Sequence, residues 1–405
     1  MNAALPVPEP GPHAAVAWTE RHLADVLVDR VAPSPAFRGG QVAADAALDG
    51  FDLAGYARDR NEVLPRSGRG ASRLSPYIRH GLLSLPAVWD AVADGPGGDV
   101  RKFRDELLWQ EYARHVYARL GHRTARGLRG EPRSEGSGEP WDRSMACVDA
   151  SLAELETEGW LVNQARMWLA SEWTVRHGAD WRHGEDHFYR HLLDGSRAAN
   201  RLGWQWTVGA ATRRPYGFSR RQVERRAPEL CRRCGLRDDC PVEDWPDDRD
   251  LLAVRTPTGL LADPDPEATA GPSEPSTTGS PEAVWITAES MGDDDPALAA
   301  HPDLPAVFVF DLPLLERLRL SSKRLVFLVE TLADLATRRP LEVHGGAPTD
   351  LLGGRPLAAT AAPVPGWRRI AAAVDVAAVH PWPWLVPPHG GRATSFSAWR
   401  KAARA

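Results

Sequence analysis

Residues 159–206, GWLVNQARMWLASEWTVRHGADWRHGEDHFYRHLLDGSRAANRLGWQW, decide how this chain reads. Placed on a helix, Trp160, Asn163 and Met167 fall at i, i+3 and i+7, so one stripe carries an indole, an amide and a thioether, with Arg166 at its border. A core stripe rarely includes Asn, and a solvent stripe rarely includes Trp. Such a mixed face suits a planar ligand with polar edges.

Outward from this stretch, from about Pro12 to Leu252, the chain keeps to amphipathic helical patterns broken by Gly and Pro, with little of the alternation that marks strands. Residues 256–281, TPTGLLADPDPEATAGPSEPSTTGSP, are dominated by Pro, Gly, Ser, Thr and acids. Such a composition does not build a packed core, and a flexible linker is expected there. Beyond it AVWIT (Ala283–Thr287), AVFVFD (Ala306–Asp311), LEVHGG (Leu341–Gly346) and VDVAAVH (Val374–His380) are β-prone. They alternate with helical stretches at Ser321–Thr337 and near Trp367–Ala373, and this order implies a parallel sheet with covered faces. The expected fold is therefore multidomain, α and α/β: an all-helical domain over 12–255, the linker over 256–281, and a smaller Rossmann-like parallel α/β domain over 282–405.

A chain of 405 residues is long enough to bury two cores. No apolar run approaches the length that spans a bilayer, and residues 1–12 lack the cationic start and hydrophobic centre of a secretion signal, so the expectation is a cytoplasmic protein with no membrane partner. Four cysteines are too few for a disulfide scaffold. The net charge of −5 argues against blanket nucleic-acid affinity while leaving room for a local basic face. Sixteen tryptophans stand out; packing is the bland reading, and position alone raises another.

Two upstream stretches join the first one: GASRLSPYIRHGLLS (Gly70–Ser84) and KFRDELLWQEYARH (Lys102–His115). In order and spacing the three resemble the FAD-binding region of the photolyase and cryptochrome family. There the pattern runs from a phosphate-side loop, through a Glu-Leu-x-Trp-x-Glu-Phe helix, Gly-Trp, Asn-x-x-Arg-Met, Asp-Trp-Arg and an Asp-Gly-Asp loop, to Trp-Gln-Trp. The resemblance implies that Tyr56, Ser72, Arg73, Leu74, Ser75, Arg166, Asp194 and Asn200 hold FAD. Ser72, Arg73 and Ser75 bring donors for a pyrophosphate, although a Ser-rich helix start taken alone would be a cap. Arg166 and Asp194 resemble the pair lying against the flavin ring, with a structural salt bridge as the alternative. Asn200 falls where the family faces flavin N5; elsewhere a lone Asn is most often a turn residue.

The same resemblance places Glu106, Trp109, Asn163, Met167 and Trp206 around a pocket for a flipped-out pyrimidine pair. It places Trp204 and Trp181 in the tryptophan chain that feeds electrons to photoexcited flavin, with Trp141 and Trp173 as candidates for a third member. Ser196 stands where the second acid of the Asp-Gly-Asp loop is usual, Gln110 where an Arg is frequent, and Phe103 where a Trp often stacks on the lesion. The implied function is light-driven splitting of pyrimidine dimers in DNA by electron transfer from reduced FAD. The alternatives are a cryptochrome-like blue-light photoreceptor and a helical domain with a structural role alone.

Cys231, Cys234 and Cys240 form a C-x2-C-x5-C cluster, and Cys147 lies upstream. This resembles the bacterial branch of the family that holds a 4Fe-4S cluster on one distant and three clustered cysteines; zinc takes the same ligands, and a merely buried Cys147 is the plainer reading. The second domain resembles the family's antenna domain, here placed last, and TSFSAWRK (Thr394–Lys401) resembles the segment that usually follows it. The arginine-bearing first motif of that domain is missing, which argues against an antenna pigment, and a generic α/β domain stays open. Arg213, Arg214, Arg220, Arg221, Arg225 and Arg226 offer a phosphate-binding face or a solvated helix surface.

Overall fold

The computed structural model describes residues 2–134, 140–246 and 250–403. Its helical half is organised by the 24-residue helix Gly97–Leu120, which buries Phe103, Leu107, Leu108, Tyr112, Val116 and Leu120 at three- and four-residue spacing. Helices Ala146–Glu158, Asn163–Ala170, Trp181–His191 and Ala199–Thr207 pack around it, and a π-helical turn over Ser171–Arg176 prolongs the second of these. The helix Ala146–Glu158 ends on Gly159, whose φ of 71° is the left-handed conformation that stops a helix. The carbonyl of Gly159 then accepts from Leu193 N at 2.8 Å. That one bond lays the Gly-Trp corner beside the Leu193–Asp194 loop, 34 residues later in the chain.

The strands among the described residues are β1 (Ala3–Leu5), β2 (Gly130–Pro132), β3 (Leu251–Ala253), β4 (Ser276–Thr277), β5 (Ala283–Ile286), β6 (Ala306–Asp311), β7 (Leu341–Gly346), β8 (Leu357–Thr360) and β9 (Val376–His380). Strands β2 and β3 form a small antiparallel pair in the helical half. The main sheet has the order β1-β7-β6-β5-β8-β9-β4, with five parallel strands at its centre. Every residue of β5 and β8 is buried, as expected where helices cover both faces. The order turns back between β5 and β8, and the loops leaving these two strands lie at the place where open α/β sheets present their binding crevice.

Two expectations are corrected. Residues 256–281 are folded rather than a free linker. They carry short helices at Thr258–Leu261 and Pro266–Ala270 and the edge strand β4; Leu260 and Ala270 are buried, and Asp263 lies 3.6 Å from the Arg119 guanidinium. Few apolar residues suffice when a finished surface is already there to receive them. The second correction is at the other end of the chain: β1 pairs antiparallel with β7, and the Pro12–Leu23 helix packs beside the Ser322–Ala336 helix with Trp18 against Phe310 at 5.5 Å. Residues from 12 onward thus do not begin the helical half. A three-residue strand has no readable alternation, and only the partner edge makes it one.

The two halves meet closely. Gly81, at φ 69°, and Gly292 bring their backbones together; a Cβ on Gly292 would lie 2.9 Å from Leu82 Cα, so neither tolerates a side chain. Beside them His80 Nδ1 is 2.7 Å from Ala288 O, and Arg79 pairs with Glu289 at 2.5 Å.

Candidate functional site

The helical half encloses a cavity of about 490 Å³. Its inner wall is made by Tyr56, Trp160, Asn200 and Trp204, all buried, and its outer end by Trp109, Asn163, Met167 and Trp206, where Trp206 is 36 % exposed. Residues 56 to 206 reach one space because the Gly159 corner and the long helix fold the chain back on itself.

At the inner wall Arg166 Nη2 donates to Asp194 Oδ2 at 2.7 Å, and its Nε donates to Leu161 O at 2.9 Å. The loop carrying Asp194 is braced from behind: Arg79 and Arg324 both donate to Gly195 O, at 2.9 and 2.7 Å, and His80 Nε2 lies 3.1 Å from Leu193 O. Arg324 belongs to the α/β half, and burial lowers its guanidinium to about 10. Asp194 Oδ1 and Trp204 Nε1 are buried without a partner. An acceptor and a donor left open on one cavity wall call for a ligand with complementary polar edges, because unpaired buried groups are costly.

The Asn200 amide sits 3.5 Å from Glu185 Oε1. Burial pushes the Glu185 carboxyl above its usual range, against the pull of Arg201 and Arg197, which both bond it. Ser72 and Ser75 line the cavity, and Ser75 Oγ accepts from Trp160 Nε1 at 3.1 Å, which leaves its proton free to point inward. Arg73, at φ 60°, also lines the cavity, but its guanidinium stacks over Phe37 at 4.7 Å and lies 3.7 Å from Glu158. Burial raises the Tyr56 phenol, which stands edge-on to Phe103 at 4.9 Å. Leu74 is a correction: it is fully buried in the core and does not line the cavity, because the turn that presents Ser72, Arg73 and Ser75 to the cavity points Leu74 into the core.

Toward the mouth, Glu106 bonds Lys102 at 2.7 Å and Arg60 at 3.3 Å, and Asn163 Nδ2 donates to Met167 Sδ at 3.4 Å. Gln110 and Ser196 line the cavity as well; Ser196 Oγ accepts from the N–H of Ala199, the first residue of the helix that carries Asn200 and Trp204. Phe103 does not reach the cavity, being packed between Phe51 and Tyr56.

Trp204 and Trp181, the expected pair, are both buried. Trp204 stands edge-on to Phe188 at 5.1 Å, and no ring contact joins it to Trp181 among the described residues. Trp181 is buried with its Nε1 3.4 Å from Glu131 and Arg182 over its ring. Gly184 lies against two indoles: a Cβ there would run into the Trp204 ring and lie 3.0 Å from Trp173 Cδ2. Trp173 in turn packs on Trp141 with ring centroids 4.5 Å apart.

Sequence reasoning missed Arg79, Arg114, Glu289 and Trp382, which also line the cavity. The two arginines lie within stretches already singled out. Glu289 and Trp382 come from the α/β half, at the ends of β5 and β9, and only docking brings them there.

Cys147, Cys231, Cys234 and Cys240 line one small cavity of their own. Burial pushes the Cys147 thiol up to about 12 and that of Cys231 up to about 11. Among the described residues no three His, Cys, Asp or Glu side chains converge closely enough to hold a metal ion.

Residues 103–224 match the family model described as the FAD binding domain of DNA photolyase. The deoxyribodipyrimidine photo-lyase of Thermus thermophilus is 37% identical over 188 residues, which cover 42% of this chain and 43% of that protein. Through its helical half, the chain is similar to the FAD-binding part of DNA photolyases. The deoxyribodipyrimidine photo-lyase of a Synechococcus species, 32% identical over 195 residues, covers 42% of this chain and 39% of its own length. A class III photolyase from Agrobacterium tumefaciens, known from its crystal structure, has 29% identity and a TM-score of 0.41, covering 48% of this chain and 44% of its own. The chain spans less than half the length of the curated relatives it matches. Most residues lining the cavity, Asp194, Asn200 and Trp204 among them, lie in the matched segment, and the cavity's open Asp194 Oδ1 and Trp204 Nε1 and its flat walls fit FAD.

Proposed function

We propose that the chain is a light-driven DNA repair enzyme of the deoxyribodipyrimidine photolyase kind, acting on pyrimidine dimers. The observation that carries this reading is one continuous cavity running from Asp194 and Asn200 to Trp109, Met167 and the half-exposed Trp206. Reduced FAD held there would supply light-driven one-electron transfer to a dimer, the electron returning to the flavin after the bonds have parted. The residues do the rest. Arg166 and Asp194 would hold the ring edge, Asn200 would present its amide to the ring, and Ser72 and Ser75 would offer hydroxyls to the pyrophosphate. Glu106, Trp109, Asn163, Met167 and Trp206 receive a pyrimidine pair turned out of the duplex. Asn163 has an amide that hydrogen-bonds a pyrimidine carbonyl and no proton to give, which favours the cyclobutane dimer over the (6-4) lesion.

Trp204 is the point of electron entry, supplied through Trp181 or through the Trp173–Trp141 pair. The phosphate-binding face is narrower than six arginines: Arg220 is held by Glu224 and Glu243, and Arg226 by Glu62. Arg213, Arg214, Arg221 and Arg225 are exposed and form no ion pair among the described residues. The four cysteines around one cavity support a metal centre, read first as a 4Fe-4S cluster and second as zinc. The α/β half is read as the family's antenna domain moved behind the helical one, without a pigment. The cytoplasm is the compartment this implies; among the described residues no helix is long and apolar enough to cross a membrane.

The test is light-dependent restoration of cyclobutane dimers in irradiated oligonucleotides by protein carrying fully reduced FAD. Restoration is expected. Absence of it, together with equal affinity for damaged and intact DNA, would move the chain to the photoreceptor reading, which Gln110 and Ser196 at the cavity wall favour.

A further inference from the structure

The helix Phe396–Ala403 lies along the Gly97–Leu120 helix at the turn that carries Trp109. Phe396 stacks on Trp109 with ring centroids 4.2 Å apart and planes 12° from parallel, the tightest and flattest aromatic contact at the cavity. The helix is held in that place by three anchors. Trp399 is fully buried and packs on Tyr112 at 5.7 Å, Tyr112 Oη donates to Ala393 O at 3.1 Å, and Arg400 donates to Asp105 at 2.7 Å. Phe396 does not line the cavity, whereas Trp109 does.

We propose that Phe396 is a positioning residue: it covers one face of the Trp109 indole and fixes the ring plane, so that the uncovered side stands ready as a stacking wall for an extruded pyrimidine pair. The inference rests on the repair reading. A half-exposed indole without a stacking partner turns freely, and a base that stacks on it must first order it. Stacking on an aromatic ring is a main source of affinity for unpaired bases, and ordering one free side chain weakens binding by about 2- to 10-fold. Phe396 performs that ordering in advance, from a helix 287 positions further along the chain than the ring it holds.

The test uses the full chain loaded with FAD and compares Phe396→Leu, which keeps apolar volume but removes the flat ring, with Phe396→Tyr, which keeps it. Affinity for a dimer-containing oligonucleotide is measured for each, alone and in a Trp109→Ala background. Phe396→Leu is expected to weaken affinity by about 2- to 10-fold, with flavin content and dimer splitting at saturating DNA unchanged. Phe396→Tyr is expected to restore affinity, and Phe396→Leu to have no further effect once Trp109 is gone. Equal losses in both backgrounds, or loss of flavin along with affinity, would mean a merely structural role and would overturn the inference alone. A wild type that does not prefer damaged DNA overturns the repair reading and this inference with it.

Discussion

The two ends of the cavity are built on different principles. The inner wall is braced from every side: Asp194 is paired to Arg166, and its loop is fastened by Arg79, His80 and Arg324 from two halves of the molecule. The outer end depends on fewer restraints, with Asn163 exposed, Met167 half-buried and Trp109 held by the stacked Phe396 ring and by Tyr112 edge-on. A cofactor that stays needs a site organised before it arrives, whereas a substrate that comes and goes needs a surface it can reach.

The sharpest way to break that contrast is to remove one partner of the inner ion pair. Asp194 is only 7 % exposed at its side chain and Arg166 21 %. Either Asp194→Ala or Arg166→Ala leaves a largely buried charge unpaired, a loss of about 3–5 kcal/mol. Flavin is expected to be depleted from both purified variants by absorbance at visible wavelengths; full occupancy in both would show that the pair does not grip the ring. Changes at the outer end such as Met167→Ala are expected to leave flavin content untouched.

Gly184 offers a smaller and purely steric probe. Gly184→Ala forces a methyl group against Trp204 and Trp173, and overpacking of this kind costs about 1–3 kcal/mol in urea unfolding. The same region decides the electron route. Trp204→Phe should stall photoreduction, and comparing Trp173→Phe with Trp181→Phe by flash photolysis separates the two supplies; an unchanged rate in Trp173→Phe would rule out the pair that touches Gly184.

At the DNA side the effect is expected in the salt dependence more than in affinity at one condition. Each phosphate contact contributes about −0.9 to the slope of log affinity against log salt. The double change of Arg221 and Arg225 to Ala should flatten the slope by about 2, and an unchanged slope would assign these arginines to a solvated helix face.

A further effect is a pH dependence of stability inside the helical half. Burial holds His187 down at about 3 and His191 at about 4, and His187 Nε2 and His191 Nδ1 have no partner. Both are neutral when folded. As pH falls below the ordinary histidine range near 6.5, the unfolded chain takes up protons that the folded one refuses, so stability declines from there toward about pH 4. Thermal melts in His191→Asn should show a shallower decline over that interval; an identical slope would place the acid sensitivity elsewhere.

What the sequence by itself determined is everything whose cause is local. The helical texture, the strands Ala306–Asp311 and Leu341–Gly346, the Ser322–Ala336 helix and the chemistry-bearing stretch around Asn163, Arg166, Asp194 and Asn200 were all readable, because periodicity and motif spacing act within a few turns of chain. Tertiary structure alone decided the remainder. Strand β1 exists because β7 offers an edge, residues 256–281 are ordered because a surface awaits Leu260 and Asp263, and Leu74 turns inward while its neighbours face the cavity. Trp204 and Trp173 both crowd Gly184 because the missing Cβ there leaves them room. Glu289, Trp382, Arg324 and Phe396 reach the site or its supports from the far half of the chain. Contacts between residues so distant in sequence depend on how finished surfaces dock, and docking complementarity leaves no periodic mark on either segment.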